Sequence, residues 1–448
     1  MILKKILNQK VKDLNYTENL IIFVFYLIFT VLISIIFSFY FIRQFPDFFL
    51  NDTYELIVNK IPFGYGNLLT NIFENNQYIN SESFKYYNDG EFQEIININF
   101  VLKKLPFYSY LLYFLLSISK NIFFIVIVKN LIFFNIFYFS VFFSLRSLNL
   151  KVLTFIIILI FFLFIPYNVK TFSEISFADS ISSILLSCLF IISISQLKLK
   201  FFICGIFLFI LYLTKESMFT ICLFFPIIII FFEYKSSKKL TFIPFYFVLS
   251  AIFLWGFNGL YKTGSFPFGS SLSTWKSYDM SKAFDESFSD YYPKYSTDFI
   301  DSDIIDKPIA NEWEFYNYYK SKNLNLIKED SKTIFDNTVL KIKFILFNII
   351  PDGYQFDKNI NTDFLFITSS IINKFIFYIA VLFFLINLFL KRNFKNYFGF
   401  YFFTLMTFNL IPHILGWATS KHMVGIYLLS FLYIIVFFQK NLSRDSVN

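Results

Sequence analysis

Residues 19–42 read NLIIFVFYLIFTVLISIIFSFYFI and carry no charged side chain. About 20 consecutive apolar residues are needed to cross a bilayer as a helix, and this run is long enough. It follows a polar, basic segment containing Lys4, Lys5, Lys10 and Lys12, and no small-residue cleavage site comes after it. The expectation is a retained first span, not a removed signal peptide. Similar runs recur through all 448 residues, of which 56% are hydrophobic with mean hydropathy +0.59. That composition predicts an all-α, polytopic helical membrane protein and argues against a soluble domain.

Basic residues give the orientation. The lysines before the first run place the N-terminus in the cytoplasm under the positive-inside rule. Further spans are expected at 152–166, 177–197, 200–214, 217–233, 239–258, 364–390, 397–412 and 423–438, with one crossing between 106 and 145. Residues 106–119 are short for a span and read as a half-buried or re-entrant helix. Arg146, Lys151, Lys198, Lys200, Lys235, Lys238, Lys239, Lys391, Arg392, Lys395, Lys440 and Arg444 then all fall at cytoplasmic turns or at the C-terminus. The expected topology has about ten crossings with both termini inside. For a bacterial chain this means the inner (plasma) membrane. The net charge of +8 belongs to these inner turns, and nothing points to nucleic acid.

The same alternation puts two long polar regions outside. The first, 43–105, belongs with an N-terminal transmembrane module, 1–258. The second opens an external loop or lid region, 259–363, which precedes the C-terminal helices, 364–448. Residues 341–350 read as a helix on or dipping into the outer leaflet, with a full span as the rival. Lys129 and Lys374 fall inside spans, where they pair within the bundle or shift a boundary. Cys188, Cys204 and Cys222 lie in or beside apolar runs with no ligand spacing, and read as packing residues.

Beyond the first run lies Asn51-Asp52-Thr53-Tyr54-Glu55. A carboxylate at the junction of a transmembrane helix and water suits acid/base chemistry on a membrane-bound substrate; it also suits a helix cap. Other charged groups are expected at the same surface: Asp89, Glu91, Lys103, Lys104, Lys170, Glu174, Asp179, Lys215, Glu216, Lys421 and His422. Acids there serve as bases or metal ligands; lysines and His422 bind an anionic headgroup. The structural alternatives are snorkelling for Lys103, Lys104 and Lys215, and capping for Asp179. Asp179 enters a span, where ionised groups are costly and often functional. Gly64-Tyr65-Gly66 reads as a turn signal only. No Ser/His/Asp arrangement, Cys/His cluster or phosphate-binding glycine loop occurs. Two histidines, His413 and His422, do not make a histidine metal centre. Paired acids near Asp52 would permit a divalent metal.

Taken in chain order, several stretches resemble the GT-C superfamily of membrane glycosyltransferases, in particular its protein O-mannosyltransferase-like and aminoarabinose-transferase-like group. Asn51-Asp52-Thr53-Tyr54 with Gly64-Tyr65-Gly66 is similar to that group's Pro-Asp-Ser-x-x-Tyr and later Gly-x-Gly. Lys103-Lys104-Leu105-Pro106-Phe107-Tyr108 resembles Arg-x-Pro-x-Tyr-Pro. Glu174 to Asp179 resembles the acidic residue after the third span, and Leu213-Thr214-Lys215-Glu216 resembles Leu-Thr-Arg-Pro. Trp255-Gly256-Phe257-Asn258 through Gly264 resembles Trp-x-x-Arg-Asn…Gly, and Ser420-Lys421-His422 the Arg-Tyr or Arg-His that opens the last span. Lysine stands where the family has arginine at several of these places, and Glu216 stands where it has proline.

The resemblance implies a glycosyltransferase that draws a sugar from a polyprenyl-phosphate donor on the external, periplasmic side. Asp52 would be the base, with Glu55 and Asp89 as alternatives. Lys104, Lys215, Lys421 and His422 would hold the phosphate. Tyr54, Tyr108, Asp179 and Trp255 would line the donor and acceptor pocket. The acceptor would be a glycan, a lipid or a protein, with membrane lipids as surroundings. No cofactor is firmly implied. Two other readings are an O-antigen-type glycan polymerase and a transporter or lipid flippase without covalent chemistry. The absence of arginine from 259–340 argues against the first. The absence of an internal repeat argues against the second.

Overall fold

The computed structural model describes residues 7, 9–44, 65–88, 91–164, 178–269, 311–347, 362–390, 397–415 and 423–445. The helices are α1 (Tyr16–Gln44), α2 (Gly66–Asn75), α3 (Pro106–Ile118), α4 (Ile122–Ser147), α5 (Val152–Phe164), α6 (Asp179–Ser193) and α7 (Lys200–Thr214). A 3-10 turn at Glu216–Met218 leads into α8 (Phe219–Ser237) and α9 (Ile243–Thr263). Then come α10 (Glu312–Glu329), α11 (Ser331–Phe347), α12 (Thr362–Leu390), α13 (Tyr397–Leu415) and α14 (Val424–Asp445).

Six of these helices contain a segment long and apolar enough to cross a membrane, in α1, in α4, in α8 with its preceding turn, in α9, in α12 and in α13. Five shorter apolar helices or segments lie in α3, α5, α6, α7 and α14. The chain is therefore a mostly helical, multi-pass membrane protein. Its outer faces agree: Leu20, Val24, Ile28, Leu32 and Phe39 on α1 are large, apolar and exposed, as lipid contact requires.

Of the shorter helices, α6 lies wholly inside the bundle. Every one of its residues is buried. It packs against α4, α7 and α14 and forms the axis of the bundle. A helix wrapped in protein on all sides does not have to match the hydrocarbon thickness itself. Its serines allow close crossing: a Cβ added to Gly425 of α14 would sit 3.3 Å from the Ser183 Cα.

The two ends of the bundle are distinct. At one, Val11 N donates to Leu150 O at 2.9 Å and Val152 N to Gln9 O at 2.9 Å. Gln196 N donates to Ser147 Oγ at 3.1 Å, and Lys200 pairs with Glu233 at 3.3 Å. These are the turns whose basic residues set the expected orientation. At the other end stand the start of α6, the end of α7, the start of α3 and the late part of α9.

The first polar region carries the strand pair found among the described residues, an addition to the expected all-α class. Strand β1 (Asn80–Asn88) runs antiparallel to β2 (Glu91–Phe100), from Asn80↔Phe100 to Asn88↔Glu91, with an irregularity between Phe84 and Lys85. Alternation in Ile96-Asn97-Ile98-Asn99-Phe100 accounts for the inner half: Ile98 and Phe100 are buried and Asn99 is exposed.

The end of α11 is tied to α12. Lys374 of α12 donates to Ile345 O at 2.6 Å, and Tyr378 donates to Leu346 O, so both meet carbonyls near the C-terminal end of α11. A cation at a helix C-terminus meets the negative end of its dipole. Lys374 thus pairs within the bundle, one of the two outcomes open in the sequence. Lys129 of α4 is 1% exposed beside Asn130, whose amide donates to Ser34 Oγ of α1 at 3.2 Å. The three cysteines are all buried and unpaired with each other.

Candidate functional site

Leu105-Pro106 starts the site. Proline at the first helical position ends the preceding bend and launches α3, since its missing N–H is one that a helix start leaves unbonded anyway. This leaves Lys104 just before the positive end of the α3 dipole. The Lys104 Nζ lies over the Tyr65 ring, 5.0 Å from its centroid. Tyr65 is buried and meets Tyr108 edge-on at 5.4 Å. Its phenol is pushed well up, first by burial and then by the neighbouring Tyr108, Glu216 and Asp179. Tyr65 therefore remains a protonated donor through the physiological range.

Asp179 opens α6 and Lys215 closes α7, and the two form an ion pair through Asp179 Oδ1 and Lys215 Nζ. Each charge suits its own helix terminus: an acid at an N-terminus and a cation at a C-terminus. The Ala178 position before Asp179 makes no side-chain cap. Glu216 follows Lys215 directly and begins the 3-10 turn, which packs on α13; Thr220 Oγ1 also donates to Phe408 O there.

A second line of contacts joins Trp255 to the same place. The Tyr78 hydroxyl donates to Lys104 O at 2.9 Å and is 3.0 Å from Ser109 Oγ, with which it shares a hydrogen bond. Its ring meets Trp255 edge-on at 6.3 Å and Tyr110 in a stack at 5.3 Å, and Lys262 Nζ lies 5.9 Å from its centroid. Trp255 Nε1 donates to Gly269 O at 3.0 Å. Burial pushes the Tyr78 phenol well up too.

Five of the residues singled out in the sequence thus lie at one end of the bundle: Lys104, Tyr108 and Trp255 joined through Tyr65 and Tyr78, and the Asp179–Lys215 pair near enough for Asp179 to act electrostatically on Tyr65. The connecting residues Tyr65 and Tyr78 were missed. Tyr65 sat in a stretch read as a turn, and Tyr78 has no local signal at all. Asp52, Tyr54, Glu55, Asp89, Lys421 and His422 lie outside the described residues, as do Lys170 and Glu174. The strand β2, which begins two residues after Asp89, spans about 30 Å at ~3.3 Å per residue before it reaches the bend at Lys103-Lys104.

The network offers two lysines, a neutral phenol donor and two carboxylates from separate helices at one end of the bundle. That set can hold a phosphate and orient a hydroxyl. Among the described residues no three His, Cys, Asp or Glu side chains gather as metal ligands. Comparison with protein-family models, with curated proteins and with solved structures finds no match for this chain.

Proposed function

We propose that this chain is an integral-membrane glycosyltransferase of the GT-C kind, with ten crossings and both termini in the cytoplasm of a bacterium. It takes a sugar from a polyprenyl-phosphate donor and passes it to a glycan, lipid or protein acceptor on the external side. The observation that supports this reading most is the gathering of Lys104, Tyr65, Tyr108, Asp179, Lys215 and Glu216 at one end of an otherwise apolar bundle.

In the proposed reaction the acceptor hydroxyl oxygen bonds to the anomeric carbon. The bond from that carbon to the phosphate oxygen breaks, and polyprenyl phosphate leaves with the electron pair. Asp52 takes the hydroxyl proton. Lys104 and Lys215 stabilise the charge that grows on the leaving phosphate, helped by the Tyr65 hydroxyl, while Lys421 and His422 add to it from the last external junction. Asp179 holds the Lys215 ammonium in place. Apolar surface between helices accommodates the donor tail.

The test uses the purified full chain in lipid vesicles with polyprenyl-phosphate hexoses and pentoses labelled in the sugar. Labelled sugar should move into an acceptor fraction from cell envelopes, and Asp52→Asn and Lys215→Met should each suppress that transfer by about 100-fold or more, the scale of losing a proton acceptor or a preorganised cation. No transfer from any such donor by the unaltered chain would refute the proposal. Full transfer by Asp52→Asn would leave the enzyme standing and remove Asp52 as base.

A further inference from the structure

The lysine segment at the site is fixed from two directions. One is local: Tyr78 donates to Lys104 O. The other comes from the second external region. Glu312 is the first residue of α10 and is 3% exposed. Its Oε2 accepts from the backbone N–H of Leu102 at 3.1 Å. Leu102 is itself fully buried. The contact is one of a set that docks α10 on the first region. Trp313 Nε1 donates to Thr263 Oγ1 at 2.8 Å, at the end of α9. Phe315, fully buried, meets Phe100 edge-on at 5.9 Å, and Lys103 Nζ lies 5.6 Å from the centroid of that same Phe100 ring. The Asn311 side chain caps α10 by accepting from Trp313 N and Glu314 N, which fixes where Glu312 starts.

We propose that Glu312 is a positioning residue for Lys104: it clamps the backbone at Leu102 so that the Lys103-Lys104 bend holds its ammonium groups at the site. The second external region then contributes to anion binding without touching the anion. A carboxylate accepting a buried N–H makes a strong bond, and leaving that N–H without it is costly. The bond sits two residues from Lys104, with the Tyr78 bond on the other side, so releasing it frees an anchor of the bend. The proposal rests on the reading of Lys104 as a ligand for the donor phosphate only for its consequence in binding; the clamp itself is independent of that reading.

The experiment has an arm for each. In the full chain in nanodiscs, trace acetylation by acetic anhydride is read by mass spectrometry, comparing Lys104 with Lys235 at the opposite end. Glu312→Ala should raise Lys104 labelling relative to Lys235 by about 10-fold, the factor for one charge-assisted bond. Glu312→Gln should stay near the unaltered chain, because its amide oxygen still accepts from Leu102. Trp313→Phe, which loosens the same docking while leaving Glu312 in place, should shift Lys104 in the same direction. Unchanged relative labelling in Glu312→Ala overturns the proposal. Should that variant fail to fold, unchanged labelling in Trp313→Phe overturns it. In the second arm, decaprenyl phosphate binding should weaken in Glu312→Ala and in Lys104→Met, and the double variant should bind no worse than Lys104→Met alone. Additive losses overturn the positioning role. A labelling shift together with full decaprenyl phosphate binding by Lys104→Met upholds the clamp and removes Lys104 as a phosphate ligand.

Discussion

Asp179 and Lys215 join the start of α6 to the end of α7 through a mostly buried ion pair, with side chains 7% and 17% exposed. Removing one partner leaves the other charge buried without its counter-ion. Asp179→Leu or Lys215→Met should therefore destabilise the chain by roughly 3–5 kcal/mol. The double variant removes both charges and should recover part of that loss. Thermal unfolding in detergent, followed by tryptophan emission, measures all four proteins. A double variant as unstable as the sum of the singles would show that the charges do not act on one another.

Lys341 of α11 gives a pH signature. It is 3% exposed, and burial lowers its ammonium to about 8 from the ordinary 10.5. Between those two values the unfolded chain binds a proton that the folded chain does not. Stability from this group therefore rises with pH through that window and is lost as pH falls through 8. Lys341→Met should be more stable than the unaltered chain below pH 8, by on the order of 2 kcal/mol, and that advantage should shrink towards pH 10.5. Tyr65 and Tyr78 act in the opposite sense, but only above about 10, where an unfolded phenol gives up its proton and the folded one keeps it. Denaturant titrations at several pH values between 7 and 10 would settle it. A constant difference between the two proteins counts against the shift.

The sequence made the bundle legible because length and apolarity report it directly: the runs at 19–42, 217–233, 239–258, 364–390 and 397–412 all coincide with helices able to cross a membrane. It made part of the site legible because charges at the ends of apolar runs stand out, as with Asp179 and Lys215. Tyr65 and Tyr78 did not stand out, since two among 30 tyrosines carry no period and no neighbouring charge. The strand pair was hidden for a different reason. A polar region rich in Asn and Tyr reads as loop until the alternation at Ile96 to Phe100 is counted. The Glu312 contact with Leu102 could not be read at all, because 210 residues separate its partners and they meet through tertiary contacts such as Phe100 on Phe315.

Two glycines near Trp255 test how the return strap is seated. Residues 265–269 fold back along α9, and Trp255 bonds to Gly269 O. A Cβ on Gly256 would lie 1.9 Å from the end of the Phe266 ring; on Gly259 it would lie 2.3 Å from Pro267 Cδ and 3.2 Å from Ser265 O. The phenylalanine ring can swing aside, whereas the proline ring and a backbone oxygen cannot yield separately. Gly259→Ala should thus cost more than Gly256→Ala, within the ~1–3 kcal/mol usual for overpacking. It should also loosen the strap, read as faster proteolytic cleavage after Lys262. Equal stability for the two variants would place the strap elsewhere.

The side on which the site opens decides what donor is reasonable. Nucleotide sugars are charged and stay in the cytosol, so a transferase facing outward needs a donor carried across on a lipid. Under the positive-inside rule the basic turns at Arg146, Lys151, Lys198 and Lys235 are expected to face the cytosol. The contacts from Lys104 through Tyr78 to Trp255 lie at the opposite end. Lys198 and Lys262 are both exposed and stand at these two ends. A single cysteine at each can be probed with a membrane-impermeant maleimide, since the native cysteines are buried. Lys262→Cys should react in intact cells, and Lys198→Cys only after permeabilisation. The reverse pattern would put the lysine network in the cytosol and take away the reason for a lipid-linked donor. Labelling of both from one side would contradict the separation of the two ends itself, and with it the bundle as described.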